Sequence, residues 1–591
     1  MDRQRPHEQD KIERRSNFLP VEENFTEEQA KAEASRCLNC KNPRCVKGCP
    51  VNIHIPDFIK AVKEDRLDDA GEIIRQTSML PSVCGRICPQ ERQCEGQCIL
   101  GIKGEAIAIG ALERYVGDNT RPAKAEIKPS GKKVAVIGSG CAGITAAADL
   151  RKAGHEVVVF EALHQFGGVL RYGIPPFRLP RVVLDREITS LKEMGVEFHK
   201  NVIVGKSITI KQLEEDGFDA IFICSGAGLP KMMNIKGENL NGVFSANEFL
   251  TRVNLMHAND EQAPTPLRVG KKVAVIGGGN VAMDAARTAV RVGFEEVYIV
   301  YRRTEKELPA RLEEIRHAKE EGVVFKFLHA PSEILDNEGY VGGMKFEIME
   351  LGEPDESGRC KPIGTGKFET FDVDTVIVAL GTGPNPIIQK TSAADGIDFE
   401  TDRRGYFTVD EETRQTSIPT IYAGGDVAPV GTSNAINAMG AGKRRLKQLM
   451  NIWQQNNFKK LIIVAIIQAI TFMPVFAIDL DYTVDDAIRK NYKVEQGPNT
   501  NPVVTPVPKT VTSTSVQQPQ KSSSESMPKL PALPKTTTQA KPTQAKPVQT
   551  VNKPTVKQPI QNISRSAIAR TTQQTYPFST SSSCRTKRSS C

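Results

Sequence analysis

Aromatic side chains are scarce in this 591-residue sequence, at 6% with a single tryptophan, and between Lys493 and Thr575 there are none. That stretch consists mainly of Pro, Thr, Ser, Gln and Lys, as in the near-repeat Gln539-Ala540-Lys541-Pro542 and Gln544-Ala545-Lys546-Pro547. It cannot bury enough apolar surface to offset the entropy of ordering it, so residues 478–591 are expected to form a disordered tail. Long apolar runs are missing too, apart from residues 461–475 (LIIVAIIQAITFMPV), and a hydrophobic fraction of 39% excludes a polytopic membrane protein. A surplus of one charge is absent up to Met450, with 60 Lys+Arg against 64 Asp+Glu, whereas the remainder holds 18 against 6. The formal net charge of +8 thus belongs to the tail, where no aromatic residues interleave with the basic ones, and no nucleic-acid partner is expected.

Cysteine is nearly absent from residues 131–450, where only Cys141, Cys224 and Cys360 occur, none of them paired in sequence. A redox cysteine pair of the disulfide-reductase kind is therefore excluded. With Asp2 at the second position there is no amino-terminal cysteine for the amidotransferase route, and no stretch of ~250 residues is left over for a (β/α)8 barrel.

Eight of the 13 cysteines are instead packed between Cys37 and Cys98, as Cys37-x2-Cys40-x4-Cys45-x3-Cys49-Pro50 and Cys84-x3-Cys88-Pro89-x4-Cys94-x3-Cys98. Short loops of this kind make thiolates converge on a metal centre. Structural zinc favours paired Cys-x2-Cys knuckles in sets of four, whereas a closing Cys-Pro is a ferredoxin-like feature, and no export signal precedes the block to suggest disulfides. The surrounding pattern is helical. Thr26 reads as the cap of a helix starting at Glu27, and apolar Phe58, Ile59 and Val62 recur along a helix expected from Ile55 to Gln76.

From Lys132 the period changes to β-α-β: a strand Val134–Ile137, the turn Gly138-Ser139-Gly140-Cys141-Ala142-Gly143, a helix Ala142–Ala153 and a strand Val157–Phe160. Glycines at these spacings allow a tight turn, close approach to a pyrophosphate and helix–strand packing, with Glu161 at the next strand end placed for ribose hydroxyls. Residues 271–277 then repeat residues 132–138 letter for letter, opening a second loop, Gly277-Gly278-Gly279-Asn280-Val281-Ala282. At its second strand end the acid is replaced by Arg302-Arg303, which suits a 2′-phosphate and hence NADP(H) rather than NAD(H). Runs at 220–224, 375–380 and 420–423 are expected to complete the two sheets.

The cysteine block and the domains behind it resemble the small (β) subunit of NADPH-dependent glutamate synthase and its relatives, the amino-terminal half of dihydropyrimidine dehydrogenase and the large subunit of the bifurcating NADH-dependent ferredoxin:NADP oxidoreductase. The resemblance covers about residues 20–450. It implies two [4Fe-4S] clusters, one on Cys37, Cys40, Cys45 and Cys98, the other on Cys49, Cys88, Cys94 and a non-cysteine ligand matched by Glu113, with Cys84 not a ligand. It assigns FAD to the first loop (Gly138, Gly140, Gly143, Glu161), to Gly167–Pro175 with Gly168 and Leu170, and to Asp426 in Tyr422-Ala423-Gly424-Gly425-Asp426-Val427. NADP(H) falls to Gly277, Gly279, Asn280, Ala282, Arg302 and Arg303. The fold class implied is α/β: an all-α iron–sulfur domain, then two Rossmann-like domains of glutathione-reductase type.

The expected division is 1–130 for the cluster domain, 131–270 and 382–450 for the FAD domain, and 271–381 for the NADP(H) domain. An apolar segment follows at 451–477, then the tail at 478–591. The activity implied is NADPH oxidation, with electrons passed through FAD and the two clusters to a large subunit that makes glutamate from 2-oxoglutarate and glutamine. A bifurcating transhydrogenase or a pyrimidine dehydrogenase reductase is the alternative. Cofactors do the redox chemistry, so no acid–base residue is assigned. The redox body is expected in the cytoplasm. The segment from Met450, with Lys459-Lys460, the apolar run and Val475-Phe476-Ala477, is laid out like a signal peptide. Fusion of two reading frames with an exported second part, a membrane anchor through residues 459–477, and a buried helix all stay open for it.

Overall fold

The computed structural model of the chain describes residues 2–123, 126–260, 262–354, 356, 358–429 and 436–440. The expectations for 451–477 and 478–591 lie outside the described residues. Among the described residues no helix is long and apolar enough to cross a membrane.

The cysteine-bearing part is helical: Glu27–Ser35, Ile55–Lys63, Leu67–Arg75, Pro81–Ile87 and Ile109–Asn119. Thr26 caps the first of these as expected, its hydroxyl accepting from the Gln29 amide at 3.2 Å while Gln29 Oε1 accepts from the Thr26 amide at 3.0 Å. The single helix expected over 55–76 is broken in two. Asp65 turns left-handed, with φ 62°, and the Arg66 amide closes the first helix on the Ala61 carbonyl at 2.9 Å. The break lets both short helices turn their apolar faces, Phe58, Ile59 and Val62 on one and Ala70 and Ile74 on the other, into one core. That core continues into the first sheet through Val134, Val136, Val157 and Val159, and also takes in Ile436 and Met439.

Two five-stranded parallel sheets follow. The first runs Ile421–Ala423, Ala220–Ile223, Lys133–Ile137, Glu156–Phe160 and Glu197–His199 in spatial order. The second runs Val243–Ser245, Thr375–Val378, Lys272–Ile276, Glu296–Tyr301 and Val324–Phe327. Their central strands are apolar and buried over almost their whole length, as parallel strands covered on both faces must be. In each sheet the glycine loop leaves the central strand where the order reverses, the place where doubly wound sheets bind ligands.

The second sheet begins at Val243, ahead of the boundary expected at residue 271. The strand Val243–Ser245 pairs with Val376–Val378, and the helix Ala246–Met256 packs in the second domain's core. A three-residue edge strand carries too little periodicity to reveal itself. A three-stranded antiparallel sheet (His329–Asn337, Tyr340–Pro354, Cys360–Phe371) is a further addition that the β-α-β alternation does not announce. The chain crosses between the domains twice, and Leu229–Pro230 pairs with Thr382–Gly383 at the crossing. The first residues of the chain lie against both nucleotide domains: the Val21 amide donates to the Phe177 carbonyl at 3.0 Å, and buried Arg14 reaches Glu321 at 3.1 Å.

Candidate functional site

Cys37, Cys40, Cys45 and Cys98 line one cavity of about 50 Å³, together with Ile55, Pro56, Ile59 and Ile107. Burial, followed by the mutual negative charge of the set, pushes the Cys45 thiol up to about 11, and Cys37 is raised in the same way. The second set is deeper. Cys49, Cys88, Cys94 and Glu113 are all buried. Cys49 is pushed up to about 11 by burial and then by Glu113. Cys94 stands well above its ordinary value through burial, with Glu95, Glu113 and Cys49 adding to it. Cys37, Cys45, Cys49, Cys88 and Cys94, thiols that resist ionisation on their own, are stable as anions only around a cationic centre, whose binding then releases their protons.

Glu113 occupies the fourth position that the resemblance implies for the second set. It is not a surface helix residue: burial alone raises its pKa to about 8, and Oε1 is buried with no hydrogen-bond partner. Its charge acts on Cys49, Cys88 and Cys94, and a buried carboxyl oxygen with no partner suits a metal ligand. Thiolates on a single zinc lie about 3.8 Å apart, given Zn–S bonds of about 2.3 Å. Among the described residues the group whose ligand atoms all fall within 4.8 Å of one another is Glu8, Glu22, Glu313 and His317, and no cysteines belong to it. Cys84 is buried against Cys88, which its hydrogen bond and charge raise, and its sulfur lies 3.5 Å from Met439 Sδ.

The first glycine loop opens the helix Cys141–Lys152, whose cap position is Gly140, so no side chain satisfies its first amides. A Cβ on Gly140 would meet nothing within 4 Å, which leaves space over the loop for a ligand. One on Gly143 would come within 2.0 Å of the Gly138 carbonyl oxygen, so that glycine serves helix–strand packing. Glu161 is buried at the strand end, accepting from the Ser139 amide at 3.0 Å and the Leu163 amide at 2.9 Å. Gly168 brings its backbone against Gly140, where a Cβ would lie 2.9 Å from Gly140 Cα, while the Leu170 side chain goes into the core. Asp426, nearly three hundred residues away, arrives because Ile421–Ala423 pairs with Ile221–Ile223. A Cβ on Gly425 would come 2.9 Å from Ala142 Cβ, and after burial the Asp426 charge is the next cause that raises Cys141 and brings Tyr172 to about 12.

The second loop repeats this design. Gly279 caps the helix Asn280–Val292 without a side-chain bond, a Cβ there would meet nothing within 4 Å, and Ala282 is fully buried. Asn280 Oδ1 accepts from the Arg311 amide at 2.9 Å. The arginine pair separates: Arg302 is exposed, whereas Arg303 is buried and its Nε donates to the Cys360 carbonyl at 2.7 Å. Sequence reasoning did not single out Arg92 or Arg311, which join the cluster loop to this domain, because nothing local marks an arginine's distant partner.

The fold and these sites define a pyridine-nucleotide oxidoreductase with an iron–sulfur domain in front. The family described as dihydropyrimidine dehydrogenase domain II, 4Fe-4S cluster, matches residues 14–125, and the pyridine nucleotide-disulphide oxidoreductase family matches residues 132–442. The chain is 38% identical to the glutamate synthase [NADPH] small chain of Escherichia coli (strain K12), over 74% of this chain and 94% of that one. It is equally 38% identical to the NADP(+)-dependent formate dehydrogenase subunit beta of Moorella thermoacetica, over 68% of this chain and 58% of that protein. Among solved structures it is similar to Mycobacterium tuberculosis FprA in complex with NADPH, at 23% identity and TM-score 0.45, over 56% of this chain and 86% of that one. The chain belongs to the family of glutamate synthase small chains and their iron–sulfur flavoprotein relatives.

Proposed function

We propose that this protein is the NADPH-oxidising electron-input subunit of a glutamate synthase, its partner being the large subunit that makes glutamate from 2-oxoglutarate and glutamine. The observation that supports the reading is that Cys37, Cys40, Cys45 and Cys98 line one cavity, Cys49, Cys88, Cys94 and Glu113 are buried, and both nucleotide loops leave space for a ligand at Gly140 and Gly279. When bound, the nicotinamide, flavin and clusters supply two-electron uptake and one-electron release. The chain's own residues hold and shield them. The amides opening the helices Cys141–Lys152 and Asn280–Val292 receive the pyrophosphates, Glu161 and Asp426 bracket the first loop, and Arg302 meets the 2′-phosphate. Cys49, Cys88, Cys94 and Glu113 sit where water is excluded. Around the other set, Leu38, Ile99 and Ile102 are exposed apolar side chains, which suits a partner taking electrons from that side.

The formate dehydrogenase relative is also a subunit of a larger enzyme, so an electron-accepting partner is the firmer part of this reading and the large synthase subunit the finer part. Purified protein is expected to carry one FAD and about eight iron and eight sulfide, from the two four-iron clusters, and NADPH is expected to bleach the flavin. Stoichiometric zinc with little iron would refute the reading. Co-purification followed by analysis of the complex for FMN identifies the partner.

A further inference from the structure

The loop between Cys88 and Cys94 does more than present ligands. From it Arg92 reaches the second nucleotide domain and donates to three successive carbonyls, Leu308 at 3.2 Å, Pro309 at 2.9 Å and Ala310 at 3.0 Å. From the opposite side buried Arg311 donates to the Arg86 carbonyl at 2.8 Å and to Gln90 Oε1 at 3.0 Å. Gln90 is itself anchored, its Nε2 donating to the Cys84 and Gly85 carbonyls at 3.1 Å each. The segment gripped in this way is what the second glycine loop leans on. The Ala310 amide donates to the Gly278 carbonyl at 3.2 Å, the Arg311 amide donates to Asn280 Oδ1 at 2.9 Å, and a Cβ on Gly278 would come 2.6 Å from Leu308 Cδ2.

We propose that Arg92 and Arg311 are positioning residues for NADP(H): the Cys88–Cys94 loop holds segment 308–312, and through it the loop Gly277–Ala282, in its nucleotide-accepting shape. The inference rests on the cluster and NADP(H) assignments above. The carbonyls of 308–310 lie outside any helix or strand. Without the Arg92 guanidinium their segment samples other shapes, and apparent affinity falls with the fraction of molecules that stay competent. Because coupling between sites is reciprocal, NADP+ in turn shifts the state of the cluster held by Cys49, Cys88, Cys94 and Glu113.

The test uses full-length protein, NADP+ as the probe, equilibrium binding by calorimetry, and redox titration of the clusters followed by electron paramagnetic resonance. Arg92→Ala is expected to weaken NADP+ binding about fivefold or more, with flavin, iron and sulfide at wild-type levels. NADP+ is expected to shift the midpoint potential of one cluster in the wild type and not in Arg92→Ala. Arg92→Lys, whose single ammonium cannot span three carbonyls, should recover only part of the affinity. Arg311→Gln should act in the same direction; should that buried replacement lose flavin, the exposed Arg92 variants decide alone. Unchanged NADP+ affinity and an unchanged potential shift in Arg92→Ala would overturn the proposal. A wild-type protein that holds no iron or binds no NADP+ would instead overturn the site assignments on which it rests.

Discussion

Glu113 is held in the apolar interior with its carboxyl raised to about 8, against an ordinary value of 4.5. A raised carboxyl disfavours its charged form in the folded state, so cluster-free protein loses stability as pH rises from about 4.5 to about 8. The thermal midpoint of chelator-stripped protein is expected to fall across that window, and less steeply in Glu113→Gln. In loaded protein, Glu113→Ala should alter the resonance signal of one cluster and leave the other unchanged; two unchanged signals would remove Glu113 from the ligand set. Arg302 poses the matching question for the nucleotide. A charge-assisted phosphate contact is worth ~1.5–3 kcal/mol, less at an exposed strand end, so Arg302→Ala should raise KM for NADPH about tenfold and leave KM for NADH nearly unchanged. Steady-state kinetics with both nucleotides measure the difference, and equal effects would make Arg302 merely structural. Glu113 was legible only as a match to a family position, because its burial depends on how the helix Ile109–Asn119 packs.

At the level of elements, two of the three glycines of the first loop, Gly140 and Gly143, separate binding from folding. A Cβ on Gly140 enters open space, while one on Gly143 collides with the Gly138 carbonyl. Gly140→Val should therefore keep the thermal midpoint of flavin-free protein and lose FAD. Gly143→Ala should destabilise by about 1–3 kcal/mol through overpacking between helix and strand. Flavin absorbance beside a denaturant melt distinguishes the two, and the reverse pattern would refute this division of roles. The loop, its strands and its helix were legible because each is a run of local periodicity closed by glycine. The break at Asp65 was not, since the apolar spacing of 55–76 suits one helix as well as two; the need to fill one core from both halves decides it.

Across the whole molecule, Glu321 joins parts far apart in sequence. Its carboxylate accepts from Arg14 at 3.1 Å, from Arg287 at 2.8 and 3.0 Å, and from Arg291 at 2.6 and 3.0 Å, while the Phe177 ring centroid lies 3.9 Å from the Arg291 guanidinium. Replacing it by Gln leaves three buried guanidinia short of one charge, at an expected cost of about 3–5 kcal/mol. Arg291 and Arg287 also outweigh burial and depress its pKa to about 2. A depressed carboxyl contributes stability above its unfolded value, so this contribution is present above about pH 4.5 and is lost as pH falls toward 2. Acid titration of wild type and Glu321→Gln should show the wild type losing its advantage in that window. All ligand and nucleotide positions lie between Cys37 and Asp426, so deletion of residues 451–591 should leave FAD, iron content and NADPH oxidation unchanged, and loss of flavin in the truncated protein would contradict this.

The sequence by itself determined the cysteine block, both glycine loops and the preference for a 2′-phosphate, because each rests on short local runs whose spacing sets what the backbone can do, while the division of the cysteines into two sets was legible only through the family resemblance. Tertiary structure alone decided which arginine of the pair stays exposed, that Glu113 is buried with a free oxygen, that Asp426 meets the first loop, and that Arg92 grips the second nucleotide domain. Those are contacts between residues dozens to hundreds of positions apart. Strand pairing and core packing bring such residues together, and no local period encodes the partner of a side chain across that distance.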